Sequence, residues 1–222
     1  MSVVVFFGAP GSGKGTQAKF LSVNAEYIHI STGDLLRECK NDITHPLNAI
    51  ISSKMASGQL IDDDVVNGII SHKISQIKLE NVIFDGYPRT VNQAVFLQEE
   101  LAKYSARIQR VIFFDINPDI VVERIVNREV CKKCGTIFNK KFNKSKQDGI
   151  CDACGGILEN RIDDNEEVIR KRIAIYNDSS KDLLEFYHSV VTVVDASKNE
   201  HEITNLIKSV LWCGKMWSRI FH

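Results

Sequence analysis

The chain opens on an unbroken apolar run, Val3-Val4-Val5-Phe6-Phe7, of β-branched and aromatic residues. Five such residues are too few for a helix and suit a strand buried on both faces. Comparable runs recur at 27–30, 82–84, 111–114 and 190–194. Helical patterns with recognisable starts lie between them. Ser31 and Asp34 have capping-box spacing before Leu35-Leu36, and Thr90 and Gln93 repeat it before 94–101. Asp62 stands ahead of Val65-Val66 and Ile69-Ile70 in i, i+3, i+4 spacing. Asn117-Pro118 puts proline at a first helical position, and Asp163 with Glu166 opens a long segment reaching Tyr187. Ile203, Leu206, Ile207, Val210 and Leu211 form a last stripe facing a core. A tail beyond Gly214 carries Met216, Trp217, Ile220 and Phe221 and reads as continued packing. Strands alternating with helices predict an α/β fold, a parallel sheet flanked by helices on both faces. Residues 129–162 break the alternation with cysteines, glycines and lysines, and read as an inserted module.

The chemistry begins where the first strand ends. Gly8-Ala9-Pro10-Gly11-Ser12-Gly13-Lys14-Gly15-Thr16 leads into the helix-forming Gln17-Ala18-Lys19-Phe20-Leu21. Strand, glycine loop, Lys-Gly-Thr and helix make the layout of a phosphate-binding loop. Glycines let backbone N–H groups point inward at a phosphate, the helix N-terminus adds partial positive charge, and Lys14 adds a full one. The strict pattern has Ser or Thr directly after the lysine; here Gly15 intervenes before Thr16. Val82-Ile83-Phe84-Asp85 is a strand ending in a carboxylate, placed to hold waters of a Mg²⁺ ion rather than only to shape a turn. Gly86-Tyr87-Pro88-Arg89 can aim a guanidinium across the strand ends. Arg124 and Arg128 are read at i, i+4 on the helix after Pro118, where like charges repel unless an anion lies between them. With Arg37, Arg161 and Arg172 they suggest a clamp on two phosphate chains. No carboxylate stands out as a base to take a hydroxyl proton, which favours an acceptor that is itself an ionised phosphate.

Composition sets limits. The 222 residues, 44% hydrophobic and 25% charged, suit one soluble core with small insertions. Lysine plus arginine, 28, equals aspartate plus glutamate, 28, so no net field favours nucleic acid or membrane. A strand starting at Val3 leaves no room for a targeting peptide, and a reducing cytoplasmic setting is expected. In that setting Cys131-x-x-Cys134 and Cys151-x-x-Cys154, sixteen residues apart, are expected to hold a structural Zn²⁺ with no open position. Gly135 and Gly155-Gly156 follow the pairs as metal knuckles require, and iron could occupy the same thiolates. Cys39 and Cys213 read as buried free thiols, and no histidine has metal-ligand spacing.

Together these residues resemble the adenylate kinases, in the long form with a zinc-bearing lid. Residues 8–16 are similar to that family's phosphate loop, including Gly15. Ile30-Ser31-Thr32-Gly33-Asp34 with Arg37 resembles its monophosphate segment, and Phe84-Asp85-Gly86-Tyr87-Pro88-Arg89-Thr90 with Gln93 its most distinctive signature. Arg161, Asp163-Asp164 and Arg172 fit the lid's closing segment, and the likeness runs from Val3 to about residue 211. The resemblance implies a P-loop kinase core over 1–222, a monophosphate-binding insertion at 31–60, a zinc lid at 127–164 and a tail extension at 214–222. It implies ATP phosphates on Gly11, Ser12, Gly13, Lys14, Gly15 and Thr16, with Ile137, Phe138 and Lys198 near the ATP base. AMP would lie on Thr32, Arg37, Gln59, Leu60, Ile61, Gly86, Tyr87, Pro88, Arg89 and Gln93. Arg124, Arg128, Arg161 and Arg172 would surround the transferring phosphoryl group, the last two shared with AMP, and Asp163 and Asp164 would latch the lid onto arginines. Gln93 as helix cap and Gln93 on the adenine edge are competing expectations. One departure is Asp195-Ala196-Ser197-Lys198, where the family usually has Asp-Gly.

The expected activity is reversible transfer between Mg-ATP and AMP giving two ADP, by a cytoplasmic monomer. A pyrimidine monophosphate kinase is the second reading, disfavoured by Thr32 and Gln93. A zinc-ribbon nucleic-acid binder draws on Lys132, Lys133, Lys140, Lys141, Lys144 and Lys146, against neutral net charge and no aromatic stacking array.

Overall fold

The computed structural model describes residues 2–161 and 164–218, with side chains through Trp212. Five strands form one parallel sheet in the order β2-β3-β1-β4-β8: β1 (Val3–Gly8), β2 (Ile28–Ser31), β3 (Val82–Asp85), β4 (Ile108–Asp115) and β8 (Val191–Asp195). All five expected strands form. β1 is central, and its alternation builds two cores at once. Val3, Val5 and Phe7 face α4 (Asp63–Ser75), α5 (Val91–Ala102) and the end of α7 (Glu166–Phe186), packing with Ile70, Leu97 and Leu183. Val4 and Phe6 face α1 (Lys14–Asn24) and α8 (Glu200–Ser218), packing with Leu21, Ile203 and Ile207. A strand buried on both faces has no polar alternation, which is why β1 reads as a continuous apolar run.

Two regions stand off this sheet. α2 (Thr32–Asn41) and α3 (Asn48–Ser57) follow β2. Ser31 Oγ accepts the Asp34 N–H at 3.2 Å, so the cap read from the sequence starts α2 where expected. After α6 (Pro118–Val126), β5 (Arg128–Cys131), β6 (Ile137–Asn139) and β7 (Leu158–Glu159) make a separate antiparallel sheet in the order β6-β5-β7.

Several expectations shift. Arg128 is not on α6: Asn127 caps that helix, its Nδ2 donating to Glu123 O at 2.8 Å, and Arg128 begins β5. The two flanking acids belong elsewhere, Glu123 to Lys141 and Glu129 to Lys140. α7 is capped by Asn165, whose side chain accepts the Val168 N–H at 3.0 Å; Asp163 lies outside the described residues. Asp62 precedes α4 without a side-chain cap and pairs instead with Lys54. Leu206 is 39% exposed, because α8 turns the 203–207–211 edge inward rather than the whole stripe. The α8 backbone continues through Gly214 to Ser218; the side chains from Cys213 onward, and residues 219–222, lie outside the described set.

Removing the newly found cap should show its worth. Asn165→Ala is expected to lower stability by about 1 kcal/mol, read as a lower urea midpoint with unchanged slope.

Candidate functional site

The carboxyl ends of the parallel strands, the α2–α3 pair and the antiparallel sheet enclose one cleft of about 1480 Å³. A drug-sized ligand needs roughly 300–1,000 Å³, so this volume has room for more than one such molecule. Ligands of open α/β sheets bind at this edge.

The phosphate loop forms its floor. Gly13 precedes α1 at φ 97° with no side-chain cap, so the first N–H groups of that helix have no side chain over them. At Gly11, φ 75°, an added Cβ would lie 2.4 Å from Ile125 Cγ1, so only glycine lets the loop pass α6. Gly15 has a different reason: a Cβ there would meet Asp85 Oδ2 at 3.2 Å. Lys14 Nζ curls back to donate to Gly8 O at 2.8 Å, Ala9 O at 2.7 Å and Ser12 Oγ at 3.2 Å. Burial lowers its pKa to about 8; Asp85 opposes that fall, and Arg89, Arg172 and Arg128 add to it.

Arginines line the walls. Burial, then the charge of Arg172, lowers Arg89 to about 10; its Nε donates to Gly86 O at 2.9 Å. Arg161 is lowered to about 10 by burial, then by Arg128 and Arg37. Arg124 Nη1 donates to Ala196 O at 2.8 Å, and burial lowers its pKa. Arg128 grips Asp164 with Nε and Nη2, and the Asp164 side chain is 0% exposed. Arg37 pairs with Asp34, which also lies 4.0 Å from Arg161. The Arg172 stem packs beside Gly58, and Arg172 lines the cleft. Cations crowded into one partly dry space lower one another's proton affinity, and an anion relieves all of them.

The remaining expected residues fall unevenly. Thr16, Gln59, Leu60, Ile61, Gly86, Pro88, Gln93 and Lys198 line the cleft. Thr32 lines it too, 2% exposed, with a buried hydroxyl that has no partner among the described residues. Tyr87 does not line it: fully buried, it packs on Phe84 and donates to Asn67 Oδ1 at 2.6 Å. Ile137 approaches the phosphate loop near Gly15, and the next residue, Phe138, also lines the cleft while packing with Cys131, Cys151 and Leu158. Gln93 takes part in half of the expected capping box. Its N–H reaches Thr90 Oγ1 at 3.1 Å, but its side chain accepts from Arg89 N at 2.8 Å instead of turning back to residue 90.

The second sheet carries the cysteines. Each pair makes the same turn: Gly135 N to Cys131 O and Gly155 N to Cys151 O, both 2.9 Å, then Cys131 N to Thr136 O and Cys151 N to Gly156 O. The four sulfurs lie within 4.8 Å of one another, with Cys131–Cys154 at 3.4 Å and Cys134–Cys151 at 3.6 Å. A tetrahedron with metal–sulfur bonds of about 2.3 Å has edges of about 3.8 Å, so the group can hold a metal ion. A Cβ on Gly156 would strike Cys131 Sγ at 2.8 Å.

Two contacts were not anticipated. His29 Nε2 lies 3.1 Å from Asp85 Oδ2, because residue 29 of β2 pairs with Ile83 and so sits diagonal to Asp85 on the same face. Lys19 of α1 donates to Cys134 O at 2.5 Å and Thr136 Oγ1 at 3.3 Å, tying the core helix to the first knuckle. Only register and tertiary packing reveal either pair.

This fold and floor define a phosphate-loop phosphotransferase. The family model for adenylate kinase matches residues 6–192. A Thermosipho melanesiensis adenylate kinase is 40% identical over 214 residues, covering 94% of this chain and 97% of that protein. One from Petrotoga mobilis is 35% identical over 210 residues (94% and 96%), and one from Rickettsia rickettsii 36% over 213 (94% and 98%). The chain belongs to the adenylate kinase family, and is a nucleoside monophosphate kinase.

The crowding has a measurable sign. Lys14 sits near 8 when folded against an ordinary 10.5, so across that window the unfolded chain binds more protons and ligand-free stability rises with pH. Lys14→Met should remove that part of the rise, keep the fold, and abolish transfer. Thermal melts of both proteins at pH 7.5 and 9.5, beside a turnover assay, check all three.

Proposed function

We propose that the cleft works as two facing phosphate sites, ATP on the 8–16 loop and AMP on the α2–α3 side. The observation that carries this reading is one space holding the phosphate loop, six arginines and the orphan hydroxyl of Thr32. In the direction of ADP synthesis, an AMP phosphate oxygen attacks the γ-phosphorus of ATP. The new P–O bond forms as the bond to the β-phosphate oxygen breaks, leaving two ADP. The attacking oxygen is already ionised, so no base is required. The cleft's chemistry agrees: of its five lining carboxylates, Asp34, Asp85, Glu123 and Glu159 are each engaged by a basic side chain.

Lys14 and the loop N–H groups would hold the ATP phosphates, and Arg124, Arg128, Arg161 and Arg172 the phosphoryl group in flight, where charge neutralisation supplies most of the catalysis. Arg89 and Arg37 would hold the AMP phosphate, and Thr32, residues 59–61 and Gln93 its nucleoside. Lys198 and Ile137 would flank the ATP base. Asp85 beside the loop offers hard oxygen, which fits Mg²⁺ held through water; that ion would bridge and neutralise the terminal phosphates. The sulfur tetrahedron fits Zn²⁺, closed and structural, in a module too small for its own core. In this reading 31–60 is the monophosphate-binding insertion, 127–164 the lid and 214–222 an extension. One chain supplies both sites, which suits a monomer, and metal-ligating thiolates suit the reducing cytoplasm. No helix among the described residues is long and apolar enough to cross a membrane.

A coupled assay of ADP formation with AMP, UMP and CMP tests the substrate; AMP should be used best, and faster turnover with either pyrimidine would overturn the reading. Cys151→Ser should release zinc and lower the melting temperature more than it lowers turnover at 10 °C. An unchanged melt after zinc loss would show that the metal does not hold the lid together.

A further inference from the structure

The Gln93 side chain sits in a hydrogen-bond pattern with one solution. Its Nε2 donates to Asp63 Oδ1 at 2.7 Å, and its Oε1 accepts from Arg89 N–H at 2.8 Å. A primary amide has nearly the same shape turned over, so its neighbours decide which end is which. Here one neighbour is a backbone N–H, which can only donate, and the other an ionised carboxylate, which can only accept. Turned over, the amide would face N–H to N–H at Arg89 and lone pair to lone pair at Asp63. With Gln93 2% exposed, water could not make good either loss.

Asp63 is itself held. Its other oxygen accepts from Thr90 Oγ at 2.7 Å, and it is the first residue of α4, where the helix N-terminus favours a negative charge. Asp63 is not among the residues lining the cleft; Gln93 is. With those two bonds made, the amide keeps one N–H on Nε2 and one lone pair on Oε1. A 6-aminopurine edge presents a ring-nitrogen acceptor beside an amino donor. A 6-oxopurine edge presents the reverse, a ring N–H beside a carbonyl. An amide of fixed orientation matches one order and opposes the other, whereas one free to turn over can meet both.

We propose that Asp63 is a positioning residue for base selection: it locks the Gln93 amide so that the monophosphate site accepts 6-aminopurine and rejects 6-oxopurine. This rests on the reading of Gln93 as a contact to the AMP base. Asp63 acts without touching nucleotide, and neither its charge nor its proximity to Asp62 and Asp64 in sequence distinguishes it.

The test compares AMP with IMP, which differ only at this edge, as acceptors at saturating Mg-ATP. Asp63→Asn keeps the shape but can either accept from Nε2 or donate to Oε1, leaving Arg89 N–H alone to choose. The ratio of kcat/KM for AMP over IMP should fall about ten-fold, with the change mostly in the two acceptor KM values and the KM for ATP unmoved. Asp63→Glu keeps an acceptor-only group and should retain more of the ratio than Asp63→Asn. Asp63→Ser, whose hydroxyl also works both ways, gives the same reading should Asp63→Asn not fold. AMP and IMP losing turnover in equal proportion would make Asp63 merely structural and overturn the proposal. A wild-type protein that does not prefer AMP would instead overturn the adenine reading on which it rests.

Discussion

The constraint on which the structure depends is the confinement of like charge. Lys14, Arg89, Arg128, Arg161 and Arg172 share one cleft, and burial together with mutual repulsion lowers the proton affinity of Lys14, Arg89 and Arg161. In the ligand-free protein this arrangement is held by oxygen atoms standing where phosphate would be useful. Lys14 is folded onto the carbonyls of its own loop, Arg128 onto Asp164, Arg37 onto Asp34 and Arg124 onto Ala196 O. A polyphosphate brings several charged oxygens to such a cluster at once. Binding energy can therefore be drawn from strain already present, rather than only from new contacts.

That constraint also explains why the cations come from so many parts of the chain. Strand ends supply the floor, but a sheet edge alone offers few side chains converging on one point. α6, β5, the residue-161 segment and α7 each contribute one arginine, and the antiparallel sheet is inserted between the second and third of them. Backbone hydrogen bonds shape its cysteine knuckles where little apolar surface exists to do so, as the small core of Cys131, Phe138, Cys151 and Leu158 indicates. Lys19 then joins that knuckle to the helix that begins at the phosphate loop. The second sheet and the phosphate loop are thus joined through α1.

Much of this was legible from residue order, and the legible part has a common physical basis. β1 and β3 announce themselves because burial on both faces excludes polar residues, and the other parallel strands through their apolar centres. The phosphate loop and cysteine pairs do so because their geometry is local, fixed by glycines and by two-residue spacings. What escaped is set by register and tertiary packing. His29 meets Asp85 only through the β2–β3 pairing. Arg128 leaves α6 for β5 because Asn127 and the pairing of β5 with β6 end that helix, which periodicity could not register. Asn165 caps α7 through the Val168 N–H, a pairing set by the local turn rather than by the apolar pattern. Tyr87, inside the most distinctive motif, belongs to the core and holds Asn67, so a signature residue need not line the cleft.

The Arg128–Asp164 pair shows how one buried carboxylate can set the geometry of the cleft. A buried ion pair is a poor source of stability in itself, because desolvating both partners offsets most of the attraction. Its value lies in orientation. Asp164 engages Nε and one Nη2 hydrogen, two of the five guanidinium donors, and leaves the rest of the planar fork free. The carboxylate thereby sets the plane of a guanidinium that lines the cleft. Asp164 lies one residue before the cap of α7, and Arg172 lies two turns into that helix. The same contact that orients Arg128 thus tethers the start of the helix carrying Arg172, so two cations from separate elements are positioned by one carboxylate.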